Sequence, residues 1–114
     1  RDRAYCPYSK YRVGAALLGK SGRIYTGCNV ENGSYGATIC AERTAYVKAV
    51  SEGEREFTDL AVATDEDKFC SPCGICRQFV AEFGLEQQVH RAKASGEYET
   101  MSVSELLPGA FVLQ

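Results

Sequence analysis

The spacing of apolar and polar positions changes several times along this chain, and each change marks a predicted element. Tyr5-Cys6-Pro7-Tyr8-Ser9 reads as a turn. Arg12 to Leu18 is an apolar run closed by Gly19-Lys20-Ser21-Gly22, and Arg23 to Val30 resumes with β-branched and aromatic residues. Two such runs joined by a short Gly-containing link predict a β-hairpin. Glu31 to Thr38 carries Gly33 and Gly36 and predicts a loop. From Cys40 to Val50 the residues are good helix formers, with Ala41, Ala45 and Ala49 in an i, i+4 stripe and Gly53 as the stop. Thr58 to Thr64 predicts a short buried strand, and Pro72 opens a second helical stretch that runs to Phe83 before Gly84. Gln87 to Lys93 and Tyr98 to Val103 predict two more strands, with a helical turn at Ser104 to Leu107 before Pro108. The order β-β-α-β-α-β-β with a last helical turn calls for a sheet with helices packed on it, class α/β or α+β.

Composition narrows the setting. With 114 residues and 45% apolar content the chain is expected to form one domain, 1–114, around one core. No stretch approaches the roughly 18 apolar residues of a membrane span. Arg1-Asp2-Arg3 leads into a Pro-containing turn with no apolar segment of the secretory kind. The first residue is not Met, so an upstream segment is expected to have been removed or omitted. The net charge is −2 and the basic residues are scattered, which argues against a nucleic-acid partner. The acidic residues Glu52, Glu54, Glu56, Asp59 and Asp65-Glu66-Asp67 fit a solvated surface flanking one strand.

Six cysteines in a chain of this size ask for a use. Disulfides suit short secreted chains, and nothing here signals secretion, so thiolates on a metal in a reduced, cytoplasmic setting are the expectation. Cys73-Gly74-Ile75-Cys76 opens the second helix, and cysteines at i and i+3 share a helix face, where both sulfurs can reach one ion. A helix N-terminus also favours the thiolate, being the positive end of the dipole. That spacing alone equally fits a thioredoxin-like redox pair. Cys40 is the third candidate, and Cys40-Ala41-Glu42 puts a carboxylate two residues after a thiolate. In a continuous helix those two side chains would diverge. They converge only if Cys40 approaches the metal from the helix end with Glu42 reaching over it. Three thiolates, one carboxylate and no fourth protein ligand describe an open, catalytic zinc site.

Over nearly its whole length the chain resembles the small homotetrameric cytidine deaminases. The likeness is carried by Tyr5-Cys6-Pro7-Tyr8-Ser9-Lys10-Tyr11, Val13-Gly14-Ala15-Ala16-Leu17, Gly27-Cys28-Asn29-Val30-Glu31-Asn32, Cys40-Ala41-Glu42-Arg43, Ser71-Pro72-Cys73-Gly74-Ile75-Cys76-Arg77-Gln78 and Glu105-Leu106-Leu107-Pro108. It implies an α/β fold, a three-layer αβα sandwich on a mixed five-stranded sheet, and an amino-terminal helix that this sequence does not contain. It also implies hydrolytic deamination of free cytidine and 2′-deoxycytidine in pyrimidine salvage, in a homotetramer whose active sites lie at subunit interfaces.

The resemblance also assigns roles. Cys40, Cys73 and Cys76 would hold Zn2+, which acidifies a water, while Glu42 moves protons between that water, ring N3 and the departing amine. Arg43 would bond the ligand sulfurs, offsetting the charge of three thiolates. Asn29 and Glu31 match the pair that grips the ribose 3′-hydroxyl; without the motif, an Asx turn at Asn29 with Glu31 in solvent is the plainer reading. Tyr11 stands where the family usually has a base-stacking Phe, Ala41 matches the residue whose backbone faces the pyrimidine edge, and Phe111 the one reaching into a neighbouring subunit's site. His90 is expected at an ordinary strand position. Cys6, Cys28 and Cys70 are expected as free thiols, although Cys70 as a fourth ligand would close the site and make the zinc structural. A purely structural zinc module has no use for Glu42, and a thiol–disulfide enzyme would leave Cys40 idle.

Overall fold

A computed structural model describes residues 3–8, 10, 12–34, 39–64 and 74–106, with the backbone alone at 74–77. Five strands and three helices follow in the expected order: β1 (Val13–Gly19), β2 (Ile24–Cys28), α1 (Ala41–Ser51), β3 (Phe57–Thr64), α2 (Gly74–Ala81), β4 (Gln88–Ala92), β5 (Tyr98–Ser102) and α3 (Val103–Leu106). The strands form one sheet in the order β2-β1-β3-β4-β5, a mixed α/β arrangement in which β3 and β4 are parallel and the other pairs antiparallel. The parallel pair exists because α2 carries the chain back across the sheet, the crossover that parallel strands require.

The hairpin forms where Gly19 to Gly22 reverse the chain, with Gly22 at φ 94° and its amide donating to the Gly19 carbonyl. Alternation then decides what each strand buries. Ala15 and Leu17 of β1, Leu60 and Val62 of β3 and Val89 of β4 share one buried cluster with Ala41, Ala45 and Ala49 of α1, Val80 and Ala81 of α2 and Val103 and Leu106 of α3. The alternate positions, among them Gly14, Ala16, Ala61, Ala63 and Ala92, line a shallow groove on the sheet. This face carries none of the helices among the described residues, and its residues are small rather than polar. That is why β1, Val-Gly-Ala-Ala-Leu-Leu-Gly, reads as a continuous apolar run.

Small residues let α1 sit close to the sheet. A Cβ on Gly27 would lie 2.6 Å from the Ala45 backbone nitrogen and against the Ala41 carbonyl, so the strand-to-helix approach depends on that glycine. Farther along α1, Tyr46 is fully buried among aromatic rings, with centroids 5.0 Å from Phe57, 5.1 Å from Phe83 and 6.2 Å from Phe79. Its hydroxyl donates to Gln87 Oε1, and Gln87 Nε2 donates to the carbonyls of Val80 (3.2 Å) and Gly84 (2.7 Å). One buried amide thus ties α1, the C-terminal end of α2 and the entrance of β4. Burial also pushes the Tyr46 phenol well above its ordinary pKa, which keeps it a donor.

Candidate active site at the N-terminus of α1

Cys40 is the N-cap of α1 rather than its first helical residue, with φ −72° and ψ 156°, an extended conformation. Its carbonyl accepts from the Thr44 amide (3.0 Å) and the Thr44 hydroxyl (3.1 Å), while its side chain makes no capping hydrogen bond. The sulfur therefore leaves the helix at its positive end instead of being used to close it. Arg43 Nη2 donates to that sulfur at 3.8 Å. A helix N-terminus and a guanidinium together favour negative charge on the sulfur, as a metal-binding thiolate needs. Glu42, in the first turn, is 5% exposed.

The loop before α1 is laced to the strand exit. Val30 and Ile39 exchange backbone hydrogen bonds of 2.8 and 2.9 Å, and Ile39 leads directly into Cys40. On the other side of Val30, the Tyr5 amide donates to the Asn29 carbonyl (3.0 Å) and the Glu31 amide to the Tyr5 carbonyl (2.8 Å). Three segments, around Tyr5, Val30 and Ile39, thus meet at one place, and Asn29 and Glu31 flank the middle one. Asn29 is 9% exposed, and its side-chain oxygen accepts from the Val13 amide at 3.0 Å. The contact spans 16 residues, a longer reach than the Asx turn that its type alone suggested; Asn32 makes such a turn, its oxygen accepting from the Ser34 amide at 2.9 Å. Glu31 is not left in solvent: it is half-buried, and its Oε1 accepts from the Tyr8 amide at 3.0 Å.

Among the residues singled out in the sequence, Cys40, Ala41, Glu42 and Arg43 gather at the start of α1, with Asn29 and Glu31 one backbone bridge away. Ala41 is fully buried beneath Gly27. Cys76 lies in the first turn of α2, where only the backbone is described. Cys73, Tyr11, Phe111 and Cys70 lie outside the described residues. Cys6 and Cys28 are half-buried free thiols, and the Cys28 thiol reaches the Arg3 carbonyl at 3.4 Å. His90 is less ordinary than its strand position suggested: its Nε2 meets Asp59 Oδ2 at 2.7 Å and its Nδ1 meets Thr100 Oγ1 at 2.8 Å. The Tyr8 amide on Glu31 was also invisible in the sequence, because a backbone donor leaves no trace in residue type.

The start of α1 thus presents a cysteine at the N-cap position, a buried Glu two residues on and a guanidinium on the cysteine sulfur, mounted on a mixed sheet. The family model described as "Cytidine and deoxycytidylate deaminase zinc-binding region" matches residues 1–92. A cytidine deaminase of Sporosarcina psychrophila is 54% identical over 97% of this chain and 82% of its own length. A probable cytidine deaminase of Dictyostelium discoideum is 56% identical over 95% of this chain and 74% of its own. Among solved structures, the cytidine deaminase of Burkholderia pseudomallei superposes with a TM-score of 0.94 at 43% identity, covering 97% of this chain and 90% of that one. The chain belongs to the cytidine deaminase family, a family of zinc-binding hydrolytic deaminases. No helix among the described residues is long and apolar enough to cross a membrane.

Proposed function

We propose that the protein converts free cytidine and 2′-deoxycytidine, with water, to uridine and 2′-deoxyuridine plus ammonia, as a pyrimidine salvage enzyme. The observation that carries this reading is the Cys40–Glu42–Arg43 cluster: a sulfur at a helix N-terminus, a guanidinium 3.8 Å from it, and a carboxylate buried one step along the same turn. Cys40, Cys73 and Cys76 would hold the zinc through their thiolates. Zinc at such a site supplies Lewis acidity that brings water into ionisation near neutral pH.

Glu42 then does the proton work. It accepts the proton of the attacking water and delivers it to ring N3 as the oxygen bonds to C4. It next takes the second proton from that oxygen and carries it to the amine, whose bond to C4 breaks as the C4=O double bond forms and ammonia leaves. One carboxylate serves as base and then acid because the transfers occur in sequence. Burial suits it, since a carboxylate shielded from bulk water exchanges protons with the substrate rather than with solvent.

The sugar is held by Asn29 and Glu31 in complementary roles. The Asn29 side-chain oxygen accepts from the Val13 amide, so its NH2 group is the end of that side chain that can donate. Glu31 can only accept. A hydroxyl that both donates and accepts, such as the ribose 3′-hydroxyl, satisfies the two together. Tyr11 stacks on the base, the Ala41 backbone meets the pyrimidine edge, and Phe111 of a neighbouring subunit closes the site in a homotetramer. The free thiols Cys6 and Cys28 accord with a reduced, cytoplasmic setting.

The test is ammonia release from cytidine, 2′-deoxycytidine, cytosine and a cytidine-containing oligonucleotide, with zinc measured per chain. Turnover of both nucleosides at about one zinc per chain, with little from cytosine or the oligonucleotide, is the expected result. Turnover confined to the oligonucleotide would overturn the proposal.

A further inference from the structure

The Tyr5–Lys10 turn does more than lead into β1. Its Tyr5 backbone pairs with Asn29 and Glu31, and the Tyr8 amide donates to Glu31 Oε1 at 3.0 Å, across 23 residues of sequence. The turn is itself held shut: the Lys10 amide donates to the Cys6 carbonyl at 3.0 Å, and Lys10 sits at φ 61°. Among the described residues it is the only one other than glycine in the left-handed region, a conformation that persists where surroundings impose it. The Tyr8 hydroxyl also stands close over Gly33, 3.0 Å from where a Cβ on that residue would be. The turn therefore spans the strand exit and reaches the loop beyond it.

From this geometry we infer that the Tyr8 backbone amide is a positioning group for sugar recognition. It holds Glu31 Oε1 and so limits where the carboxylate can lie when the sugar hydroxyl arrives. A glutamate side chain has several rotatable bonds, and fixing it before substrate arrives removes ordering cost from binding. Asn29 is fixed in the same manner by the Val13 amide at 3.0 Å. Each member of the sugar-gripping pair thus has one oxygen tied to a backbone N–H, which presets one as donor and the other as acceptor. This inference rests on the proposed grip of Asn29 and Glu31 on the 3′-hydroxyl and assigns its geometry to the turn.

The experiment replaces the amide of residue 8 by an ester, through incorporation of the α-hydroxy analogue of tyrosine into the full chain. The change deletes one N–H and keeps the side chain. Steady-state kinetics on 2′-deoxycytidine and 2′,3′-dideoxycytidine follow, beside Tyr8→Pro, which removes the same donor genetically. The expected result is about a tenfold fall in kcat/KM for 2′-deoxycytidine, carried mainly by KM. The value for the dideoxy substrate, which has no 3′-hydroxyl to place, should stay within about twofold. Equal losses on both substrates would mean that the turn is merely structural, and no loss on either would mean that Glu31 needs no such hold; each overturns the inference. Glu31→Gln separates it from the reading beneath. If that variant discriminates the two substrates and the ester does not, only the role of Tyr8 falls. If Glu31→Gln does not discriminate them, the sugar grip falls and the inference with it.

Discussion

Arg43 Nη2 lies 3.8 Å from the Cys40 sulfur, one helical turn back, and this contact joins a positive side chain to the candidate metal ligand at the positive end of α1. Three thiolates outweigh the charge of a zinc ion by one, and a donor on a ligand sulfur withdraws part of that excess. Arg43→Ala is expected to weaken zinc binding about 10- to 100-fold. Competition with a chromophoric chelator reads this directly, without reference to turnover. Arg43→Lys should recover only part of the loss, because a point charge does not replace the planar fork. Unchanged zinc affinity in Arg43→Ala would reduce the contact to a surface ornament of the helix.

Glu42 is expected to matter for chemistry and not for the metal. Glu42→Gln keeps the shape and removes the proton carrier, so turnover should fall by about 10²- to 10⁴-fold or more. Zinc content and thermal midpoint should stay near wild type, since the change exchanges a buried carboxylate for a neutral amide. Metal analysis beside ammonia release separates the two effects. Full zinc loading with wild-type rates would remove Glu42 from the reaction.

Much of this arrangement can be read from residue types, and what cannot has a physical reason. The helix over Cys40 to Val50 was legible from the Ala41/Ala45/Ala49 stripe, and it lies at Ala41–Ser51. The shift of one residue at its start is where the chemistry sits, because Cys40 as an N-cap, rather than a helical residue, sends its sulfur off the helix end. The spacing of Cys40 and Glu42 already demanded that arrangement. The strand reading over Gln87 to Lys93 shows the opposite case: Gln87 is not in β4 but spans Tyr46, Val80 and Gly84 as a buried linker. Its main partner is 41 residues away, so no local pattern could reveal it. The tethers on Asn29 and Glu31 are backbone donors, which every residue but proline possesses and which the sequence therefore cannot single out. Likewise, the His90 bonds to Asp59 and Thr100 arise from registers between β3, β4 and β5 that only the assembled sheet sets.

Gly27 tests the close approach of strand and helix. A methyl group there would press on the Ala41 carbonyl and come within 2.6 Å of the Ala45 nitrogen. Both atoms belong to the α1 backbone, which cannot rotate away as a side chain can. Gly27→Ala should therefore cost about 1–3 kcal/mol or more. For a domain of this size that is a fall of roughly 3–8 °C in thermal midpoint per kcal/mol. Because α1 must shift to make room, zinc affinity at Cys40 is expected to fall as well. A variant that melts and binds zinc as wild type does would show that the helix rides farther from the sheet.

The acid limb of the stability profile should carry a contribution from Asp59. His90 Nε2 donates to its carboxylate at 2.7 Å, and Nδ1 meets the Thr100 hydroxyl at 2.8 Å. That hydrogen bond from His90 holds the Asp59 carboxyl below its ordinary value of 3.8. A depressed folded pKa means that folding favours the ionised form. The stabilisation is therefore complete above the unfolded value near 3.8 and is lost as pH falls through the lower folded value. The Asp59 side chain is 38% exposed, so solvent screening keeps the effect under about 1 kcal/mol. Asp59→Asn retains an acceptor for His90 but has no proton to gain. Its thermal midpoint should thus lie below wild type at pH 5–6, and the gap should close as the pH falls beyond 3.8 through the lower folded value. Midpoints measured at several pH values under constant ionic strength read this difference, since other carboxylates titrate alike in both proteins. A gap that stays constant down to the lowest pH would mean that the charge of Asp59 contributes nothing and that only the shape of the His90 contact matters.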